Sequence, residues 1–448
     1  MLPPMLHRSR RAARALGAVL AAAALAGCGE RGPAPPPNIA LVIADDLGYP
    51  DLGFMGSPVV HTPSLDRLAA EGAVFRNAYA AASLCRPSLR ALLTGLHPLQ
   101  WTARVRELEA QGVRRPPAER IRDFTTLPTL LRERGYASFQ GGKFWEGSYA
   151  LAGFDAGMQL HGDGVNDSRD GTPFGRETLA PLWSFLDAHP GQPFFAWFAP
   201  MLPHVPHDAG EEFVAAYRGQ GLSDAAVAYY ANVTRFDALV GELLSELERR
   251  GILAQTLVVF VADNGWDQGP HAPAGQANLD GPRGKRTLHD LGFRAPIVLR
   301  WPGGVPSGVV RDELVSAVDL FPTLLDYAGV AIPPDLPGTS LRPLLEGHAK
   351  WGRKSLVEGM TDLRGGKGLA PSQPRKDTGF FVRRGRWRYL WYEGGGQELY
   401  DVVADPREER DVARERPRLA RKLRREIRGF RERIGLSAAS APSPQPRQ

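Results

Sequence analysis

Two short clusters of oxygen-donor side chains stand out in this chain. Asp45-Asp46 directly follows the apolar run 38–44, and Asp263-Asn264-Gly265 directly follows the apolar run 257–262. Either cluster alone has an ordinary explanation, since Asp-Asp suits a cap or turn and Asp-Asn-Gly suits a hairpin. Residues 266–274, however, are rich in Gly and Pro and contain no returning strand. Two oxygen-donor pairs at two strand ends describe a site for a hard cation, Ca2+ or Mg2+. Zinc would recruit more histidine or thiolate. A third feature is Cys85, at the start of a helix predicted over 87–93 with Pro87 at an early position. A helix N-terminus favours an anionic group.

These residues need strand ends to carry them. Continuous apolar runs at 38–44, 193–199, 257–262 and 296–299 read as buried parallel strands. Helical patterns at 64–71, 87–93, 126–134, 224–250 and 319–328 fall between them. Alternating strands and helices predict an α/β sandwich, with helices on both faces of a large, mixed, mostly parallel sheet. After about residue 347 the pattern changes. Segments 380–383 and 387–392, joined by a Gly-Arg turn, predict an antiparallel hairpin; 397–400 adds a strand, and 406–434 contains a charged helix. This gives a small C-terminal α+β subdomain. The expected division is 1–27 signal, 28–37 tether, 38–347 catalytic domain, 348–434 subdomain and 435–448 disordered tail.

At 448 residues and 43% apolar content, the chain is long enough for one large core and a smaller one. Residues 1–28 resemble a bacterial lipoprotein signal. Arg8, Arg10, Arg11 and Arg14 precede an apolar stretch over 16–25, and Leu25-Ala26-Gly27-Cys28 matches the lipobox. Lipidation of Cys28 predicts an exported protein anchored to a membrane, on its periplasmic or cell-surface face. Removing 1–27 lowers the net charge from +6 to +2. Basic and acidic residues are interspersed in the C-terminal helix, as on a solvated face, so nucleic acid is not an expected partner. The chain has 2 cysteines, so a lipidated Cys28 leaves Cys85 without a disulfide partner.

Cys85-Arg86-Pro87-Ser88-Leu89-Arg90, running on to Thr94-Gly95, resembles the modification motif of the sulfatase family, Cys-x-Pro-Ser-Arg followed by a helix ending in Thr-Gly. The resemblance extends along the chain in order. It includes residues 37–49, 61–69, 72–79 and 135–143, Pro203-His204-Val205-Pro206, the lysine loop 283–296 with Asp290 in place of the usual glutamate, and Leu399-Tyr400-Asp401 with Asp405-Pro406. It implies an alkaline phosphatase-like fold and metal-dependent hydrolysis of sulfate esters, of the arylsulfatase kind. It also implies that a formylglycine-generating or equivalent maturation enzyme converts Cys85 to formylglycine. The hydrated aldehyde then attacks sulfur and releases the alcohol, and its second hydroxyl expels sulfate. By position, Asp45, Asp46, Asp263 and Asn264, with the oxygen of converted Cys85, would hold Ca2+ or Mg2+. Lys143 and Lys285 would bind sulfate, and His204 would be the general acid. The implied substrate is a sulfate-ester small molecule or a sulfated carbohydrate.

Two positions depart from the family pattern. Leu89 stands where an arginine helps hold the aldehyde hydrate, and it lacks the guanidinium donor fork. Trp145 stands where a histidine takes a proton from the second hydroxyl, and an indole has one donor and no base. Arg86 or Arg90 is a candidate substitute for the arginine, and His207, His271 or His289 for the base. Two further readings stand beside a working sulfatase. One is an impaired sulfatase-fold protein that binds sulfated glycans. The other is a phosphate or phosphonate ester hydrolase of the same superfamily.

Overall fold

The apolar run 38–44 becomes the strand at the middle of the molecule, and its neighbours are the other apolar runs. The computed structural model describes residues 36–158, 173–269, 281–360 and 378–435. Cys28 with its signal and the tether up to residue 35, His271, and the tail from 436 onward lie outside the described residues.

In chain order the strands are β1 (Asn38–Ala44), β2 (Ala73–Phe75), β3 (Ala78–Tyr79), β4 (Ala137–Gly142), β5 (Ala156–Gly157), β6 (Phe194–Ala199) and β7 (Thr256–Ala262). They continue as β8 (Ile297–Arg300), β9 (Val309–Arg311), β10 (Val315–Ser316), β11 (Ser355–Met360), β12 (Gly379–Arg384), β13 (Trp387–Tyr392) and β14 (Gln397–Asp401). The main sheet has 8 strands in the order β5-β4-β6-β1-β7-β8-β2-β9. From β5 to β7 every pairing is parallel. Beyond β7 the sheet becomes mixed, with β8 antiparallel to both β7 and β2.

Strands β1, β6 and β7 are buried along nearly their whole length. They must therefore be covered on both faces. The helix Asp224–Arg249 turns Val233, Phe236, Val240 and Leu247 inward, with Ser223 capping its start by accepting from the Ala226 N–H. Helices Pro63–Ala70, Leu127–Arg132, Ala180–Ala188 and Leu320–Ala328 also contribute buried apolar residues to this core.

The second sheet is antiparallel, in the order β11-β12-β13-β14. Its β12–β13 pair is the hairpin predicted from the sequence, with Gly385 at φ 56° in the two-residue turn. The helix Pro417–Arg433 lays Leu423, Ile427 and Phe430 in a core with Phe380, Val382 and Tyr389. A third apolar cluster joins the sheet's Phe381, Leu390 and Tyr400 to Tyr79, Leu288 and Phe293. The C-terminal sheet thus packs on the segment that follows Lys285.

Candidate active site

Four neighbouring parallel strands, β4, β6, β1 and β7, end on the same side of the sheet, and a chemically equipped loop follows each. Asp45 and Asp46 follow β1, Asp263 and Asn264 follow β7, Lys143 follows β4, and the loop 200–206 with His204 follows β6. This is the end of an open α/β sheet where ligands bind. Backbone bonds tie the loops together: the Asp45 N–H donates to Leu202 O at 2.9 Å and the Asp263 N–H to Ala44 O at 2.9 Å. Asp46 sits at φ 65°, a left-handed conformation that a residue with a Cβ seldom adopts. Its N–H donates to Asp263 Oδ1 at 3.2 Å.

Cys85 meets these carboxylates at the first turn of the helix Cys85–Thr94. Its Sγ lies 3.8 Å from Asp45 Oδ1 and 3.8 Å from Asp46 Oδ1. One ligand atom from each of Asp45, Asp46, Cys85 and Asp263 falls within 4.8 Å of the others, and all four residues are buried. No side chain caps the helix, and with Pro87 lacking an N–H and the Ser88 N–H donating to Leu84 O, the uncapped donors suited to an anion are the Cys85 and Arg86 N–H groups. At its other end Gly95 closes the helix at φ 72°, where a Cβ would come within 2.8 Å of the Phe321 ring.

Two ammonium groups balance part of the negative charge. Lys143, 2% exposed, pairs with Asp45 and lies 3.6 Å from Asp263 Oδ2. Lys285 donates to Asp46 Oδ1 at 2.5 Å. Burial pushes both ammonium groups toward losing a proton. The facing carboxylates outweigh it, Asp45 first at Lys143 and Asp46 first at Lys285, so both stay charged. Burial also pushes the Asp46 carboxyl up. Lys285, His204 and Lys143 more than offset this and hold it below the usual carboxylate range. Burial and then Asp45 raise Asp263. Burial and then Asp263 raise the Cys85 thiol, against the pull of Lys143 and Lys285. Unconverted, Cys85 is held as a neutral thiol.

The donor set fits a divalent cation. Asp45 Oδ2, Asp263 Oδ2 and Asn264 Oδ1 are buried acceptors without a hydrogen-bond donor. Asn264 Nδ2 is already engaged by Asp46 Oδ1 at 2.8 Å and by Gly265 O at 3.0 Å. A cation would satisfy the orphaned oxygens, and an all-oxygen set suits a hard ion.

His204 stands beside the acids, with Nε2 3.5 Å from Asp46 Oδ2. Its Nδ1 lies 2.8 Å from Val205 O. A carbonyl only accepts, so Nδ1 carries the hydrogen and Nε2 faces the centre. Arg176 holds this loop. It donates to Met201 O at 2.8 Å, His204 O at 2.7 Å and Pro206 O at 3.1 Å, and pairs with Asp208. From the long helix, Asn232 Nδ2 reaches Pro206 O at 3.0 Å and Tyr229 OH reaches Asp46 O at 3.2 Å. These supports escaped the sequence reading, because an arginine or asparagine that binds distant carbonyls leaves no mark in spacing.

The described candidate substitutes have the following partners. Arg86 and Arg90 both close on the carboxylate of buried Glu146, with Nε–Oε1 distances of 2.8 and 2.7 Å. Their remaining side-chain hydrogen bonds go to Glu146 Oε2 and, for Arg86, to Pro117 O. Neither donates to Asp45, Asp46, Cys85 or Asp263, so both guanidinium groups are engaged by Glu146 in this structure. Leu89 is 4% exposed and belongs to the main core. His289 is engaged by an acid of the C-terminal segment. Its Nδ1 contacts Glu408 at 2.9 Å, and the same carboxylate accepts the Asp290 N–H at 2.8 Å. His207 is closer in influence, with His204 and Asp46 both acting on its titration. The Trp145 indole N–H is buried without an acceptor.

With this geometry in view, the comparisons are specific. The family model named Sulfatase matches residues 37–330, and a second, N-sulphoglucosamine sulphohydrolase, C-terminal, matches 281–433. The chain belongs to the sulfatase family. Arylsulfatase A of Homo sapiens is 32% identical over 418 residues, covering 83% of this chain and 78% of that protein. N-acetylgalactosamine-6-sulfatase of Canis lupus familiaris is 34% identical over 365 residues, covering 72% and 68%. The crystal structure of Ps i-CgsB has a TM-score of 0.69 at 25% identity, covering 90% of this chain and 94% of that one. The phosphonate monoester hydrolase of Agrobacterium radiobacter shares the fold, with TM-score 0.67 and 20% identity over 89% and 96% of the chains. This sulfatase is a sulfuric ester hydrolase of arylsulfatase type, with the alkaline phosphatase-like α/β fold and C-terminal α+β subdomain expected from its sequence.

Proposed function

We propose that this sulfatase removes sulfate from a sulfated sugar, using Cys85 in its formylglycine form and a Ca2+ ion held by Asp45, Asp46, Asp263 and Asn264. The observation that carries the reading is the convergence on Cys85 of three buried carboxylates and two buried ammonium groups, with orphaned acceptor oxygens left among them. Formylglycine supplies a hydrated carbonyl with two hydroxyls, where a thiol has one nucleophilic position, and the cation supplies positive charge for a sulfate oxygen.

The side chains do the rest. Lys143 and Lys285 provide fixed, desolvated positive charge for the sulfate oxygens as charge builds on them. The uncapped first turn of the nucleophile helix faces the same anion. His204, with Nδ1 fixed by Val205 O, presents Nε2 toward the leaving oxygen in the position of a general acid. Sugar substrates are in keeping with a relative named N-acetylgalactosamine-6-sulfatase and with the fold neighbour Ps i-CgsB, crystallised in complex with k-i-k-neocarrahexaose. The lipobox at Cys28 supports an exported, lipid-anchored enzyme, and the formylglycine form requires a maturation enzyme that converts Cys85.

Mass spectrometry of the tryptic peptide 77–90, from protein made in its native host, tests the nucleophile. Loss of sulfur and gain of an aldehyde oxygen at Cys85 is expected, together with hydrolysis of an aryl sulfate well above an aryl phosphate. A thiol at Cys85 throughout would exclude the two-hydroxyl route. Leu89, buried and without a donor, is the observation that favours the impaired, glycan-binding reading in that event. A large preference for aryl phosphate would favour the phosphate or phosphonate hydrolase.

A further inference from the structure

The helix Pro417–Arg433 carries eight basic residues and two acidic ones, a net charge of +6 that equals the formal charge of the whole chain. Interspersed charge in the sequence suggested a solvated face, and the structure leaves seven of the eight cations exposed and Arg431 half-buried. Among the described residues none of the eight cations has an acidic partner within 4.0 Å, and Glu426 is taken by Arg384 at 2.6 Å. Arg418, Lys422, Arg425 and Arg433 recur at spacings of four, three and eight, which puts them on one face of a helix. At 1.5 Å per residue the row runs about 22 Å. Lys422, Arg425 and Arg433 line a groove of about 840 Å³, with Arg353 and Arg384 also on its wall. Arg353 is paired with Asp319 at 2.5 Å. Of the acids that line the groove besides Glu426, Glu358 is satisfied by His97 at 3.0 Å and Ser316 at 2.6 Å, and Asp335 is a single exposed carboxylate.

We propose that this groove binds an extended sulfated glycan chain at a place distinct from the catalytic centre. The proposal rests on the reading of the substrate as a sulfated sugar. His97, which lines the groove, follows the far end of the helix that begins with Cys85. A helix length, about 15 Å, therefore separates groove and nucleophile along that axis. A row of uncompensated cations this long exceeds what one sulfate needs and matches a chain that bears anions repeatedly. Guanidinium forks suit tetrahedral oxyanions with parallel hydrogen bonds.

Two other polyanions fit less well. An interfacial membrane helix exposes an apolar face beside its cations, whereas Ala420, Leu423, Ile427 and Phe430 are buried inward here. Single-stranded nucleic acid needs open aromatic faces for stacking. The adjacent Trp387 and Trp391 rings are instead covered by Arg416 at 4.7 Å, and by Arg424 at 5.7 Å and Arg431 at 5.5 Å.

The test is binding of heparin to the purified full-length protein across a salt series. It compares the parent, Lys422→Ala/Arg425→Ala, Arg425→Lys, and a control that removes two cations elsewhere, Arg67→Ala/Arg249→Ala. The groove pair is expected to weaken binding about tenfold or more at low salt, and to lower the slope of log K against log salt by about one per cation removed. Arg425→Lys and the control should keep the parent slope. Aryl sulfate turnover and thermal midpoint should be equal in all four. An equal loss in the control, or no loss in the groove pair, overturns the proposal. Groove-dependent binding of duplex DNA or of anionic vesicles as tight as that of heparin overturns the glycan assignment. Failure of the parent to turn over aryl sulfate counts against the catalytic reading alone, because heparin binding is read without it.

Discussion

At the scale of single residues, the centre depends on charges that are buried together. Lys143 faces both Asp45 and Asp263, so Lys143→Met removes an ammonium that no solvent replaces. Loss of one such preorganised charge corresponds to a decrease in kcat on the order of 10²–10³. Aryl sulfate kinetics should show it with the circular dichroism spectrum unchanged; a decrease under threefold would mean that Lys143 is structural. His207 gives a pH-dependent prediction. Burial, with His204 second, lowers its pKa from 6.5 to about 4. The folded protein therefore keeps His207 neutral, while the unfolded chain takes up a proton below about pH 6.5. Its contribution to stability is full above pH 6.5 and is lost as pH falls toward 4. His207→Gln should flatten that part of the thermal midpoint against pH curve, and an unchanged acid limb would place the sensitivity elsewhere.

At the scale of elements, legibility followed how far each partner lies along the chain. Strands β1 and β7 were readable because each is an unbroken apolar run, and the oxygen donors come immediately after them. Strand β4 has the sequence Ala-Ser-Phe-Gln-Gly-Gly, without a β-branched residue, and is not among the apolar runs that mark strands in the sequence. Its last glycine is required by geometry. Gly142 sits at φ 83°, where a Cβ would lie 2.0 Å from Ala199 O, and the next N–H, of Lys143, donates to that carbonyl at 2.6 Å. Tight packing between β4 and the end of β6 sets the lysine in place, and nothing in local propensity announces it. The loop 200–206 depends in the same way on Arg176, whose carbonyl partners lie 25 to 30 residues away. Arg176→Lys keeps the charge but loses the fork that reaches several carbonyls at once. We expect at least a tenfold decrease in kcat, with a changed alkaline limb of the pH profile, where a general acid loses its proton, because His204 is no longer fixed. A loss of stability with kcat and the pH profile intact would show that Arg176 serves folding alone.

At the scale of the whole molecule, the centre exists only when the main sheet is assembled. Asp46 and Asp263 are 217 residues apart in sequence and meet through the pairing of β1 with β7. The unfolded chain cannot present these oxygens together. A cation that binds the folded centre therefore stabilises the fold by mass action, by about 2.7 kcal/mol at a concentration 100 times its Kd. Chelation should lower the thermal midpoint, and added Ca2+ should restore it in a concentration-dependent way that matched ionic strength of Na+ does not reproduce. Asp263→Asn should weaken this dependence, because it removes a charge from the coordinating set while keeping its shape. Restoration by Mg2+ alone would change the ion and leave the centre as described. A midpoint insensitive to both ions would mean that Lys143 and Lys285 suffice to balance the buried carboxylates, and that the orphaned oxygens of Asp45, Asp263 and Asn264 face water.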